Sequence, residues 1–182
     1  MSTLESNVVR CDRLYPTGAY GFGGGIIQMS SMTYSTPTTL AVSANTYTTL
    51  PYSISITPRD SGNKLLIYMR WCGEITGTWN ATFCLDRNGT RLGTDHAEGV
   101  KNTGIAVPVM SYAAAAENND STPEACQFWF SDTPNTTSTL TYTPVVNLAT
   151  AQTFRINRTW TDTNATGYER MISGMMVLEV SG

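Results

Sequence analysis

The chain carries a single histidine, few charges and no pair of closely spaced cysteines, and each shortage removes a class of function. Only 14% of its 182 residues are charged, with 11 Lys and Arg against 14 Asp and Glu, for a net charge of −3. No basic patch or run stands out, so the electrostatic footprint of a nucleic-acid binder is missing. No apolar run approaches the roughly 18 residues that a membrane-spanning helix needs, and no membrane insertion is expected. The opening Met1-Ser-Thr-Leu-Glu-Ser-Asn-Val-Val-Arg10 lacks the basic start and apolar core of a signal peptide, which predicts synthesis in a cytoplasm. Cys11, Cys72, Cys84 and Cys126 follow no metal-ligand spacing, and no cofactor is implied. Cys72 and Cys84 face each other if a hairpin is centred near Thr78. A disulfide is then one expectation, but in a reducing compartment two free, packed thiols are the favoured one.

What the chain does have is Thr, about one residue in six, together with Tyr, Val, Ile and Trp. These suit pleated, half-buried surfaces, whereas Gly, Asn, Asp and Pro suit the turns between them, so an all-β domain is expected. Tyr52, Ile54 and Ile56 alternate with Ser53, Ser55 and Thr57 until Pro58 stops the run. Leu65, Ile67, Met69 and Trp71 form the inward set of the next strand, followed by Trp79, Ala81, Phe83 and Leu85, with Asn80, Thr82 and Asp86 facing out. Gly73–Thr78 reads as the turn joining these two strands, and Asn88-Gly89 as a second tight turn. Further strands are expected over Ile105–Tyr112, Cys126–Phe130, Leu140–Thr143, Phe154–Thr159 and Met171–Val180. Ala113–Glu117 is the one helix-friendly stretch. Short strands at such spacing predict a β-sandwich with a jelly-roll-like head over residues 26–182. Residues 1–25, ending in Gly18-Ala-Tyr-Gly-Phe-Gly-Gly-Gly25, read as an extended N-terminal arm with a glycine hinge. The glycines lack the preceding strand and following Lys-Ser/Thr helix of a phosphate loop.

The chemical candidates are few. His96 has no second His or Cys pair nearby for zinc, and no nucleophile elbow for a triad. Asp95 and Glu98 offer hard oxygen ligands to calcium, but a solvated polar loop is the favoured reading. Paired carboxylates for glycoside cleavage need only meet in space, which keeps a glycan-degrading enzyme as a minor alternative. Sequons begin at Asn80, Asn88, Asn119, Asn135, Asn157 and Asn164, and an Asn- and Thr-rich chain generates such triplets at turns without glycosylation. Trp129 falls out of phase with Phe128 and Phe130, and Trp160 ends its strand. Each is a candidate for stacking on a glycan, with burial in a subunit interface the preferred role.

Several segments resemble one family. Gly25-Ile-Ile-Gln-Met-Ser-Ser-Met-Thr-Tyr34 is similar to a first head strand, and Ser53-Ile-Ser-Ile-Thr-Pro58 followed by Ser61-Gly-Asn-Lys64 resembles an "SITP…SxK" element. Phe130-Ser-Asp-Thr-Pro-Asn-Thr-Thr-Ser-Thr-Leu-Thr-Tyr142 resembles "LDSPNTTSATTY", Ile156-Asn-Arg-Thr159 resembles "INRS", and Gly174–Gly182 resembles a closing "TxMEVxG" strand. The family is that of tail-fibre-like and virion structural proteins of marine tailed bacteriophages, cyanophages included. The resemblance implies a non-enzymatic head on the virion surface, in the tail or fibre apparatus, assembled as a homotrimer and touching host glycan or protein. A capsid decoration protein is the alternative within the same class. The arm, through Leu4, Val8, Val9, Leu14 and Tyr15, would dock on other virion proteins. A trimer accords with the final strand, where Met171, Met175 and Val177 share one face as a candidate subunit interface. Ile172, Met176, Leu178 and Val180 share the other, and a strand apolar on both faces needs cover on both. Asp86–Thr103, Glu117–Glu124 and Thr161–Tyr168 are the expected exposed tips.

Overall fold

The computed structural model describes residues 25–75, 80–110 and 122–182. The expected arm and its docking residues, the Ala113–Glu117 stretch, Tyr112, Trp79 and Cys11 lie outside them. The described residues form two antiparallel sheets packed face to face. The larger sheet centres on β5 (Lys64–Ile75), which pairs along its length with β9 (Glu124–Asp132). On its other side β5 pairs first with β12 (Ser173–Val180) and then with β11 (Gln152–Ile156). β1 (Ile26–Tyr34) flanks β12, β2 (Thr38–Val42) flanks β11, and β8 (Val109–Met110) flanks β9. The smaller sheet is built on β10 (Leu140–Leu148) between β6 (Ala81–Arg87) and the short β3 (Thr48–Thr49) and β4 (Ile54–Ile56). β7 (Thr90–Leu92) closes a hairpin with β6. That hairpin turns at Asn88 and Gly89, with φ of 50° and 87°, the paired left-handed residues that a two-residue loop requires.

The core fills the space between the sheets. Leu65, Ile67, Met69 and Trp71 reach inward from β5 and meet Ile54, Ile56, Phe83 and Leu85 from the smaller sheet, as their alternation predicts. Trp71, Phe83 and Phe154 form one aromatic cluster, with ring centroids 4.6–6.0 Å apart across the two layers. Cys72, Cys84 and Cys126 are buried free thiols. Burial pushes Cys84 up to about 11 and Cys126 up to about 12, so both stay protonated and behave as small apolar side chains.

Four expectations need correction. β5 and β6 do not form a hairpin: they lie in opposite sheets, so Cys72 and Cys84 do not pair. Gly73 is no turn residue but lies within β5, and it is glycine because a Cβ there would stand 1.9 Å from the Arg155 carbonyl oxygen. Thr82 does not face solvent; it is buried beneath residues 103–106, where Ala106 bridges to Phe83 and the Thr82 hydroxyl donates to the Thr103 carbonyl at 3.4 Å. The strand expected to end at Thr143 also runs on to Leu148, through Pro144. Proline is tolerated there because it stands where the neighbour of β10 changes from β4 to β3, and its carbonyl accepts from Leu50 N at 2.8 Å.

Candidate functional site

The segments most distinctive in sequence turn out to tie the sandwich together. Asp132 ends β9 with its carboxylate buried between the sheets. Arg87 Nη1 on β6 donates to both of its oxygens at 2.7 Å, and the Tyr142 hydroxyl on β10 donates at 2.6 Å. The loop from Asp132 to Tyr142 is thus clamped at both ends by one ion-paired network, and the buried tyrosine stays protonated as a donor. Asn157 stops β11 by taking a left-handed φ of 62°. Its amide nitrogen donates to the carbonyls of Tyr34 (2.6 Å) and Thr36 (3.2 Å), while its Oδ1 accepts from Ser173 N and Oγ, each at 2.8 Å. One side chain therefore joins the ends of β1, β11 and β12.

Glu179 does the same for the closing strand. Fully buried, it accepts from Arg59 N at 2.7 Å, Asn63 Nδ2 at 2.6 Å, Asp60 N at 3.4 Å and the Gln28 amide. Burial alone would raise its pKa, but these donors outweigh it and hold the carboxyl below its ordinary range. Glu74 is a further buried carboxylate, accepting from Thr122 Oγ1 at 2.8 Å and Trp160 N at 2.6 Å. These acids are occupied in holding backbone and loops, which is scaffold work.

The sequons have a local explanation. Of the six, Asn80, Asn88, Asn135 and Asn157 all adopt positive φ, between 50° and 63°. Asparagine is there because it tolerates the left-handed region at strand ends, and a Thr-rich strand supplies the third residue of the triplet.

Asp95, His96 and Glu98 lie exposed on the long β7–β8 connection, with Glu98 engaged by Lys101. Among the described residues no group of three or more His, Cys, Asp or Glu gathers as for a metal ion. The Thr161–Tyr168 tip is exposed at its centre and braced at its base, where Asp162 pairs with Arg158 at 3.4 Å and Arg170 at 2.5 Å. Most of the Glu117–Glu124 tip lies outside the described residues.

The two candidate tryptophans have different surroundings. Trp160 is half-buried with the Arg155 guanidinium 3.3 Å from its ring centre, so one face is taken within the chain and is closed to a glycan. Trp129 is 72% exposed on the outer face of the larger sheet, directly opposite Tyr68 on β5. The final strand needs a matching correction. Met175 and Val177 point into the core against the smaller sheet, so they are not a subunit interface, and Met171 is half-buried ahead of the strand. The opposite set, Met176, Leu178 and Val180, faces outward and is only half-buried.

Pairing places those outward residues in rows across four strands. Met29, Leu178, Leu66 and Ser131 form one row; Ser31, Met176, Tyr68 and Trp129 form the next. Met29 is 61% exposed and Tyr68 37%. Met29, Leu66 and Tyr68 were not singled out from sequence for this face. Their signal was present, because Leu66 and Tyr68 occupy the outward positions of a strand whose inward positions are already apolar.

No protein-family model matches the chain, and no curated protein matches it significantly in sequence.

Proposed function

We propose that this protein is a non-enzymatic structural component of a tailed-phage virion, displayed on the particle surface in the tail or fibre apparatus. In this reading the sandwich is a jelly-roll-like head, residues 1–25 attach it to other virion proteins, and three copies assemble together. The observation that carries the reading is where the family-like segments fall. Asp132–Tyr142, Ile156–Thr159, Ser53–Lys64 and Gly174–Gly182 converge on three polar locks, at Asp132, Asn157 and Glu179. Similarity concentrated in locks is similarity of scaffold, as for heads that share a frame and vary their loops. The non-enzymatic part is supported by the buried carboxylates, whose oxygens are engaged by backbone and side-chain donors.

Quantitative mass spectrometry of purified virions, with antibody labelling in the electron microscope, tests the reading. A low-copy band labelled at the tail is expected. A copy number rivalling the major capsid protein, with label over the shell, would replace the fibre assignment by decoration. Absence from purified particles would end both. Release of sugar from host polysaccharide by the purified chain, abolished by a carboxylate substitution, would instead establish the enzyme.

A further inference from the structure

The outer face of the larger sheet is the one surface of the described molecule where apolar side chains continue across several strands. On β1 and β12 it carries Met29, Met176 and Leu178; on β5 and β9 it carries Leu66, Tyr68 and Trp129. We infer that a further copy of this chain covers it, the Met29–Met176–Leu178 half of one copy lying against the Tyr68–Trp129 half of the next.

Three observations choose this occupant. The first is size. Four strands about 4.8 Å apart, over seven residues of about 3.4 Å each, span roughly 450 Å² in plane before side-chain relief is added. In a ring each copy gives half of this face to each of two neighbours, so a single contact takes less than the roughly 800 Å² per partner of a standard interface, and the two contacts of one copy together bury an area of that order. The second is charge. From Lys64 to Arg70 and across the residues paired with them the face carries no exposed carboxylate, the outward Glu74 further along β5 being fully buried, and its exposed cations, Lys64 and Arg70, stand at opposite ends of that stretch. Its centre is neutral and matches another neutral centre, while an acidic or basic partner finds no complement there. The third is that the two halves differ in kind. One is thioether and aliphatic, the other aromatic, and methionine sulfur packs favourably on aromatic rings. A half that fits the other half recognises its own chain.

A glycan is the competing occupant, since Trp129 and Tyr68 lie side by side. A sugar site surrounds its stacking ring with polar groups free to bind hydroxyls. Here the Tyr68 hydroxyl already donates to Gln127 Oε1 at 2.6 Å, and the neighbours along the rows are Met176, Leu66 and Leu178. The aliphatic part of the face would contribute nothing to a sugar.

This inference deepens the oligomeric part of the reading above and is independent of where on a virion the protein sits. The test is the full-length double variant Met29→Cys, Trp129→Cys in a Cys11→Ser background. Within one chain these positions are three strand spacings and one row apart, about 16 Å. A disulfide needs Cα atoms within about 7 Å, so any bond formed must join two copies. Mild oxidation followed by a non-reducing gel is expected to give a covalent closed trimer in high yield, with each single variant giving none. A covalent dimer as end product would uphold the face and overturn the trimer. No cross-link, in a wild-type protein that native mass spectrometry shows to be trimeric, would overturn the face and leave the trimer standing. A monomeric wild type would overturn both. In that case, quenching of Trp129 by added oligosaccharide would put a glycan on the face, and a Trp129 emission shift on deleting residues 1–24 would put the chain's own N-terminal segment there. Trp129→Arg, at an exposed position that leaves the core untouched, supplies the second readout: native mass is expected to fall threefold with the far-ultraviolet spectrum unchanged.

Discussion

On the smaller sheet, the outward side of β6 and β10 lies under the protein's own chain. Val145 and Cys84 pair across those strands and are buried beneath it. Tyr47 carries the Arg91 guanidinium 3.9 Å from its ring centre and donates its hydroxyl to Thr103, while Asn147 is held by Asn102. On the larger sheet the same kind of surface, an outward row of apolar side chains, is left open between β1 and β9. Among the described residues the fold thus covers one outer face with its long connection and leaves the other bare. A face that the chain covers itself contributes to the stability of one subunit. A bare one gains its burial only by association, and the apolar effect per unit area is the same in both places.

Mirrored substitutions break this comparison most directly. Val145→Asp puts an unpaired charge under the covered face and should cost about 3–5 kcal/mol, enough to unfold many domains. Met29→Asp makes the same kind of change on the bare face and should cost less than about 1 kcal/mol within a subunit, while lowering the native mass. Urea unfolding over a range of protein concentrations separates the two, and equal losses of intrinsic stability would erase the distinction between the faces.

The cover itself is tested at Gly104, where a Cβ would stand 2.7 Å from the Phe83 carbonyl oxygen and 2.8 Å from the Thr82 side chain. Gly104→Ala should lift the segment from β6, cost about 1–3 kcal/mol and speed alkylation of Cys84. Unchanged thiol reactivity would show that the segment is not what shields it.

Glu179 sharpens the comparison through pH. Its folded pKa is depressed, so the stability it contributes is present above the ordinary carboxylate range and is lost as pH falls through the folded value. Glu179→Gln should cost about 1–3 kcal/mol at neutral pH, because a charged acceptor is lost, and should flatten the acid limb of the stability curve. An acid limb as steep as in the wild type would assign it to other carboxylates. The smallest effect is expected at Trp129→Ala, within about 0.5 kcal/mol for the dissociated chain, with the change confined to association.

Much of the fold was legible. The inward sets of β4, β5 and β6 follow from period-two alternation, and Asn88-Gly89 announced its turn. The failures share a cause, since they lie where one residue type serves two ends. Gly73 looks like a turn glycine but is a glycine of close approach, and only the neighbouring Arg155 backbone distinguishes the two. Thr82 alternates as an outward residue and does point to the outer side, but a distant segment folds over it. The locks at Asp132, Asn157 and Glu179 were visible as distinctive segments, yet nothing local says which groups they hold, because their partners lie up to 151 residues away.

The shortage of charge and the abundance of Thr, with the alternation of apolar side chains, determined the all-β class and told which residues of each strand share a face. Those depend on backbone sterics and on a period that neighbours in sequence set. For the last strand, alternation showed that both sides are apolar. Which side is core and which is left open was decided only by the packing of the two sheets. That packing buries Met175 and Val177 under the smaller sheet and turns Met176 and Leu178 toward Tyr68 and Trp129. Burial is a property of what lies opposite a side chain, and what lies opposite is set by sheet pairing and long-range contacts.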